Sequence, residues 1–307
     1  MGSINMLNLN SLSTEKRNPK TENIDQLSTL EMVRLMNEED KKVALAIEKI
    51  LPEIAQGIEL IAEKLSQGGR LLYVGAGTSG RLGILDAVEC PPTFSTEPEM
   101  VEGLIAGGYP AIFKAQEGAE DDESLGAQDL KAKNISSLDV VVGIAASGRT
   151  PYVLGALKLA QSLGVKTIAI SCSQSPKIEE FADISLVAMV GPEIITGSTR
   201  LKAGTAQKII LNMLSTGAMI KLGKVYGNLM VDVKASNKKL KERAKRIVMT
   251  VTGVDEDEAL QSLKLAKGNA KKAIFMIMSG LAPKLAEEKL QLAKGNLRLA
   301  LENIHND

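Results

Sequence analysis

Two glycine-rich loops carry the side chains best suited to chemistry in this sequence. Gly75-Ala-Gly-Thr-Ser-Gly80 and Ser147-Gly-Arg-Thr150 both combine hydroxyl groups with glycine, and the second loop adds a guanidinium. Either loop alone is typical of a tight turn with capping residues. Two such loops, each opening a helix, favour a small phosphorylated ligand, because amides at a helix N-terminus and the helix dipole both attract phosphate. The predicted binding residues are Thr78, Ser79, Ser147, Gly148, Arg149 and Thr150.

The first loop also matches G-x-G-x-x-G, the fingerprint of dinucleotide-binding domains. A nicotinamide site further requires an acidic residue that ends the second strand, about 20 residues on, and holds the ribose. Glu89-Cys-Pro-Pro-Thr93 interrupts the chain where that strand is expected, and the acidic residues at 97, 99 and 102 lie on no convincing strand end. The sequence therefore favours a monophosphate over a dinucleotide.

A third polar cluster, Thr196-Gly-Ser-Thr-Arg-Leu-Lys202, precedes a long apolar helix that is predicted from about residue 203 to 222. Hydroxyl groups and cations at a helix N-terminus suit an anionic or hydroxylated ligand, and the same residues suit plain helix capping. Both interpretations stay open, with Ser198 and Lys202 as the candidate ligand-binding residues.

Carboxylates are the candidates for proton transfer. Glu89 stands among Leu85, Val88 and Cys90 and before two prolines, and an apolar setting would raise the pKa of its carboxyl towards neutrality. The acidic run at 117–123 is typical of a solvated helix face. Cys90 has no histidine partner in the sequence, so packing is its expected role rather than nucleophilic attack.

The composition excludes several other classes of function. Lys+Arg and Asp+Glu number 37 each and the aromatic residues are four Tyr and four Phe, so nucleic acid is not an expected partner. The single histidine, His305, and two cysteines exclude a His-based triad and a zinc site, and no metal or other cofactor is predicted. A polar N-terminus, few cysteines and no apolar run of about 18 residues predict a cytoplasmic protein without a membrane segment.

The pattern along the chain predicts an α/β protein with a doubly wound, mostly parallel sheet. Short apolar runs at 70–74, 139–145, 167–170 and 184–190 are each followed by a polar loop, and helical stretches alternate with them. Ser28-Thr-Leu-Glu31 has the spacing of a capping box and predicts that a helix follows. A helical period then runs from Asp40 to Ser66, and Gly68-Gly69 ends it.

The C-terminal part predicts a small helical bundle. Leu263-Lys-Leu-Ala-Lys-Gly-Asn269 is repeated as Leu290-Gln-Leu-Ala-Lys-Gly-Asn296, and each copy offers a helix end, a left-handed glycine and an asparagine cap. Two copies are too few for a solenoid. The predicted organisation is an N-terminal arm at 1–25, N-terminal helices at 26–67, an α/β domain at 68–239 and a helical domain at 240–307.

Across these motifs the sequence resembles the N-acetylmuramic acid 6-phosphate etherases, a family of sugar isomerase (SIS) domain proteins. The resemblance is carried by GAGTSGRLGILDAVECPPTF at 75–94, GLIAGG at 103–108, EGAEDD at 117–122, GIAASGRTPYV at 143–153 and TGSTRLKAGTAQKIILNMLSTGAMI at 196–220. It extends to TEKRNP at 14–19 and NLMVDVKASNKKL at 228–240, and so covers nearly the whole chain. It implies a SIS fold with a C-terminal helical domain similar to the ubiquitin-associated fold.

The resemblance also implies the reaction. These etherases remove D-lactate from C3 of the opened amino sugar by elimination, and water then adds to the alkene, without a metal or redox cofactor. By motif match, Glu89 is the acid that serves the lactate oxygen. The second carboxylate is Glu120 or Asp121, which adjacent positions do not distinguish.

The family is homodimeric, and related SIS proteins complete their site across subunits. We therefore expect a homodimer in which the arm, near Glu15 and Arg17, contacts the partner's site. Two alternatives remain within the superfamily. One is a sugar-phosphate-binding regulator without turnover, similar to the glucokinase regulatory protein, and the other is an aldose-ketose isomerase.

Overall fold

The computed structural model describes residues 15–233 and 237–306, which divide into two compact units. The first unit contains the chain up to Ala87 and Glu99–Leu214, and the second contains Val88–Pro98 and the chain from Ser215 onward. Residues 1–14 of the predicted arm and the side chain of His305 lie outside the described part. The domain boundaries at 25, 67 and 239 stay predictions.

A parallel sheet of five strands organises the first unit. The strands are β1 (Leu71–Gly75), β2 (Val101–Ile105), β3 (Val140–Ile144), β4 (Lys166–Ser171) and β5 (Ile184–Val187), in the order β2-β1-β3-β4-β5. Every residue of β1 and β3 is buried, as expected of central parallel strands that are covered on both faces. The predicted doubly wound parallel sheet is confirmed.

Among the described residues, seven α-helices begin in the first unit and five follow in the second. They are α1 (Thr29–Glu48), α2 (Leu51–Ser66), α3 (Gly77–Phe94), α4 (Gly108–Phe113), α5 (Glu123–Lys131), α6 (Pro151–Ser162), α7 (Lys202–Lys221), α8 (Lys238–Thr252), α9 (Glu256–Leu265), α10 (Ala270–Ser279), α11 (Pro283–Leu292) and α12 (Leu297–Asn306). Over the described residues, none of the helices combines the length and apolarity that crossing a bilayer requires.

The N-terminal helices differ from the prediction in one respect. The capping box is confirmed, since Ser28 Oγ accepts from the Glu31 amide and the Glu31 carboxylate accepts from the Ser28 amide. The single helical period from 40 to 66 is wrong, because the chain turns between α1 and α2. Pro52 stands in the first turn of α2, where its missing N–H costs no hydrogen bond and favours a new helix start.

The segment after the first loop also differs. The run Glu89-Cys-Pro-Pro-Thr93, which interrupts the expected second strand, is helical, since α3 contains both prolines and continues to Phe94. Each proline lacks the amide that would bond to the carbonyl four residues earlier, and α3 ends two residues after Pro92. The second strand, β2, follows at Val101 and ends on Ile105, so it carries no acidic residue at the end where a nicotinamide ribose would be held.

The second unit is a helical bundle with its own core. Buried residues of α8 to α12, including Ile247, Ile274, Phe275 and Leu297, form one apolar cluster. Both copies of the repeated motif act as predicted, with glycine in the left-handed region and asparagine capping the next helix. Asn269 Oδ1 accepts from the Lys272 amide at 2.9 Å to cap α10, which confirms the small C-terminal helical bundle.

Candidate active site

The two predicted loops leave the sheet side by side at its carboxyl edge. Gly75, the last residue of β1, is paired in register with Ile144, the last residue of β3. The next strand in the chain, β2, lies on one side of β1, and β3 lies on the other side. The strand order therefore reverses at β1, and open α/β sheets bind their ligands at such a reversal. The structure therefore brings the loops at 75–80 and 145–150 side by side at the edge where such sheets bind ligands.

Close backbone contact shapes the first loop. A Cβ atom on Gly75 would lie 2.7 Å from the Gly80 amide nitrogen, and one on Gly80 would lie 2.6 Å from Ile105 Cγ1. Only glycine fits both positions, so the first turn of α3 packs directly against the end of β1. Thr78 is half-buried in this turn, whereas Ser79 is buried and donates its hydroxyl to Gln207 Oε1 at 2.9 Å.

A left-handed glycine and close contact also shape the second loop. Gly148 has φ of +67°, and a Cβ atom there would lie 2.0 Å from Pro176 Cβ. Ser147 Oγ accepts from the Arg149 amide at 3.2 Å, and an Arg149 terminal nitrogen donates to the Ser175 carbonyl at 3.4 Å. The Thr150 hydroxyl makes no capping bond to α6, and this leaves it available to a ligand.

Three polar atoms on elements at this edge are buried and have no hydrogen-bond partner among the described residues. They are Arg149 Nε, Ser171 Oγ at the end of β4 and Gln207 Nε2 on α7. Buried polar groups are almost always paired, so these three atoms need a partner that water or a bound molecule supplies. Sequence reasoning missed Ser171 and Gln207. Gln207 could have been recognised in the sequence as an amide side chain on the buried face of a mostly apolar helix.

The third cluster forms the turn before α7 and lies against the first loop. A Cβ atom on Gly204 would lie 3.4 Å from Thr78 Cγ2, so the start of α7 contacts the predicted phosphate loop. Ser198 is half-buried in this turn. Glu15 of the arm packs here on its own chain, with its carboxylate 3.0 Å from the Cβ position of Gly197.

Lys202 plays a different part from the one predicted. It is fully buried, and its ammonium donates to Glu39 Oε2 at 2.9 Å and to the Val190 carbonyl at 3.0 Å. The Glu193 carboxylate caps α7 by accepting from the Lys202 and Ala203 amides, each at 2.9 Å, and burial raises the pKa of that carboxyl. The Lys202 ammonium is therefore committed to groups of the protein itself.

The acidic run lies beside the helix that the second loop opens. It is a short 3₁₀ turn, Ala119–Asp121, rather than a continuous helix face, and Asp122 then caps α5 by accepting from the Leu125 amide at 3.0 Å. A Cβ atom on Gly126 would lie 1.8 Å from the Tyr152 carbonyl, so α5 packs backbone to backbone on the first turn of α6. Glu120 and Asp121 are both exposed, and the geometry leaves the choice between them open.

Glu89 does not have the surroundings that the sequence predicted. Its side chain is exposed, and so are those of Leu85, at 51%, and Val88, at 58%. The expected apolar burial is thus wrong for this chain by itself, because the apolar neighbours face solvent instead of enclosing the carboxylate. Cys90 is buried, in keeping with a packing role.

Two other ionisable groups near the loops are poorly suited to proton transfer. Burial, with the nearby charge of Glu193, raises the pKa of the Cys172 thiol to about 12. Burial and a hydrogen bond to Asp129 at 2.7 Å raise the pKa of the Tyr152 hydroxyl. Neither group ionises near neutral pH.

Comparison with known proteins agrees with this geometry. The SIS domain model matches residues 119–217, and the model of the glucokinase regulatory protein N-terminal SIS domain matches residues 53–161. A structure from Bacteroides fragilis NCTC 9343, of a protein involved in capsule formation, shares the fold at a TM-score of 0.50 and 20% identity, over 63% of this chain and 91% of that one.

Curated relatives match much more closely. A Clostridium beijerinckii protein named N-acetylmuramic acid 6-phosphate etherase is 58% identical over 268 residues, which cover 87% of this chain and 88% of that protein. A Photorhabdus laumondii protein of the same name is 59% identical over 87% of this chain and 89% of its own length.

Proposed function

This chain belongs to the N-acetylmuramic acid 6-phosphate etherase family, and we propose that its active site is the crevice between the loops at 75–80 and 145–150. The enzyme is a carbon–oxygen lyase of cell-wall amino-sugar recycling. It cleaves the D-lactyl ether of N-acetylmuramic acid 6-phosphate to give N-acetylglucosamine 6-phosphate and D-lactate. The observation that carries the placement is the set of unpaired buried polar atoms on the elements at this edge of the sheet.

The phosphate and the sugar hydroxyl groups bind to the loops. The first turn of α3 offers backbone amides and the Thr78 hydroxyl, and the second loop offers Ser147, Thr150 and the Arg149 guanidinium. Helix dipoles and charge-assisted hydrogen bonds make such a set suitable for a phosphate dianion. Ser198 lies in the turn that contacts this region, and Gln207 offers a further buried donor through Nε2.

Two carboxyl groups perform the elimination. In the ring-opened sugar, the aldehyde acidifies the C2 proton, which Glu120 or Asp121 removes as the base. The C3–O bond breaks as Glu89 donates its proton to the departing ether oxygen, and D-lactate leaves. Water then adds across C2 and C3, with its hydroxyl bonded to C3 and its proton to C2, which yields N-acetylglucosamine 6-phosphate. Each carboxyl group reverses its proton transfer during hydration.

We further propose that the enzyme works as a cytoplasmic homodimer. The buried cysteines Cys90 and Cys172 carry thiols rather than a disulfide, which suits a reducing compartment. The half-exposed apolar side chains beside Glu89 are positioned to be covered by a second copy, which would then supply the apolar setting that one chain lacks. In that arrangement Glu89 serves the loops of the partner subunit.

Subunit complementation tests this arrangement. Glu89→Gln and Arg149→Gln are each expected to be inactive alone. If Glu89 of one subunit serves the loops of the other, a refolded equal mixture regains up to about a quarter of wild-type activity, because half of the dimers are mixed and each holds one intact site. A mixture that stays inactive contradicts the shared site, and normal turnover by Glu89→Gln alone removes Glu89 from catalysis.

The two alternative functions within the superfamily would give different results when the purified protein is assayed with the same substrate. A regulator binds the sugar phosphate without releasing D-lactate, and an isomerase interconverts an aldose and a ketose without cleaving an ether. The names of the curated relatives favour the etherase over both.

A further inference from the structure

A cavity of about 460 Å³ lies in the first unit, among the N-terminal arm, α1 and the segment that follows β5. It is lined by Asn18 and Lys20 from the arm, by one face of α1 and by residues 189–192. Lys42 and Leu45 of α1 and Lys49, its C-cap, are spaced three and four apart, so they lie on that face. None of the loop residues at 75–80 or 145–150 lines this cavity.

The walls of this cavity are held by specific hydrogen bonds. Thr21, which follows Lys20 in the arm, donates its hydroxyl to the Ile194 carbonyl at 2.8 Å, and this bond ties the arm to the chain beyond β5. Lys202 donates to Glu39 on α1 and to the Val190 carbonyl, which joins the other two walls. The cavity is therefore built by contacts between distant parts of the sequence rather than by one loose surface loop.

The charge of the lining is strongly positive. Four lysines, Lys20, Lys42, Lys49 and Lys202, face one carboxylate, that of Glu39. Lys42 and Lys202 both pair with Glu39. Although burial opposes ionisation, these two partners hold the pKa of Glu39 at about 2. The carboxylate therefore stays charged, and each of its oxygens has a lysine partner. Lys20 and Lys49 make no ion pair with any residue that the structure describes.

An unpaired donor accompanies these free cations. Asn18 is 4% exposed, and its Oδ1 accepts from the Lys20 amide at 3.1 Å, which sets the orientation of the carboxamide. Its Nδ2 is buried and has no partner among the described residues. A buried amide donor without an acceptor is rare, and here it belongs to a residue that lines a cationic cavity.

We infer that this cavity is a second ligand site, separate from the active site, and that it binds a small phosphate monoester. Two free ammonium groups and an amide donor match the several acceptor oxygens of a phosphate dianion. Leu45 and Met189, which are 59% and 42% exposed at the rim, offer apolar contact to the carbon body of the ester. The volume falls in the range of small-molecule sites and exceeds what one inorganic ion needs.

Equilibrium dialysis with radiolabelled glucose 6-phosphate tests the inference through the number of molecules bound per chain. The test variant is Lys20→Gln/Lys49→Gln. The matched control is Lys16→Gln/Lys41→Gln, which removes the same charge from the same arm and helix at exposed positions outside the cavity. Arg149→Gln, in the second loop, impairs the proposed active site and leaves the cavity intact.

The expected result is that Arg149→Gln and the control pair retain a binding site that Lys20→Gln/Lys49→Gln loses, or binds at least about 10-fold more weakly. Inorganic phosphate competes for that site and glucose does not. Equal binding by the test and control pairs would overturn the inference, as would loss of all binding in Arg149→Gln, equal binding of glucose, or a preference for succinate over phosphate. Matching melting curves of the two double variants exclude unfolding as the cause.

Discussion

Ser79 and Gln207 are joined by a hydrogen bond of 2.9 Å, in which the Ser79 hydroxyl donates to Gln207 Oε1 across 128 positions of sequence. Both side chains are buried, so the bond fixes the first turn of α3 against α7. Because the serine proton is used in this bond, the Gln207 Nε2 group is the donor that remains for a ligand. Gln207 thus positions the first loop, and in the proposed site its Nε2 group donates to the ligand.

Gln207→Ala is therefore expected to lower kcat/KM for N-acetylmuramic acid 6-phosphate by about 10- to 100-fold, the cost of losing a buried hydrogen bond to a charged group. The control is Lys208→Ala, an exposed neighbour on the same helix, which should keep wild-type kinetics. Steady-state assays of D-lactate release measure both. Unchanged kcat/KM in Gln207→Ala would remove the residue from the site.

Gly148→Ala is expected to disrupt the second loop. The new Cβ would lie 2.0 Å from Pro176 Cβ, in addition to the strain of φ at +67°. Gly164 offers a matched control, since its φ is +69° and its Cβ position is open. Gly164→Ala should lose only about 1 kcal/mol of stability and keep its activity. Gly148→Ala should lose more stability than Gly164→Ala in urea unfolding and most of its activity in the lactate assay. Equal effects of the two substitutions would show that contact with Pro176 does not fix the loop.

Lys202→Met is expected to destabilise the protein by about 3 kcal/mol, because it removes the buried one of the two cations that pair with Glu39 and leaves the Val190 carbonyl without its donor. Its KM should stay near that of the wild type when measured below the melting temperature. Lys208→Met, exposed on the same helix, should change the free energy of unfolding by less than about 0.5 kcal/mol. A raised KM with normal stability would instead show that Lys202 binds substrate.

Glu39 should make stability depend on acid pH. Burial opposes its charge, but Lys42 and Lys202 lower its pKa from 4.5 to about 2. Its stabilising contribution is thus fully present above about pH 4.5 and is lost as the pH falls towards 2, by a total on the order of 3 kcal/mol. The gap in unfolding free energy between wild type and Glu39→Gln should shrink over that interval, whereas exposed Glu38→Gln should behave as the wild type. A gap that does not change with pH would contradict the pairing.

The central strands and the two loops could be predicted from local pattern. Both β1 and β3 are buried on both faces, so each reads as a short apolar run that ends in glycine and hydroxyl residues, and their predicted bounds agree within one residue. The sequence pattern did not predict β2, because Glu102 and Gly103 interrupt its apolar run. The prolines before β2 added no useful boundary, since they lie inside α3 and do not separate the helix from the strand.

The parts of the site that were missed depend on distant partners. The role of Lys202 is set by Glu39, which lies 163 positions earlier, and Gln207 is paired with Ser79. No local pattern contains either relationship. Glu89 is exposed together with Leu85 and Val88, because these positions are three and four apart and share one helix face that the chain by itself leaves open.

The most direct test of the proposed reaction is the release of D-lactate from N-acetylmuramic acid 6-phosphate by the purified protein, measured together with the sugar product. We expect one D-lactate and one N-acetylglucosamine 6-phosphate for each substrate molecule consumed. In heavy-oxygen water, the new label should be at C3 of the sugar and absent from the lactate ether oxygen. Absence of D-lactate release, or label in that oxygen of lactate, would contradict the proposed reaction.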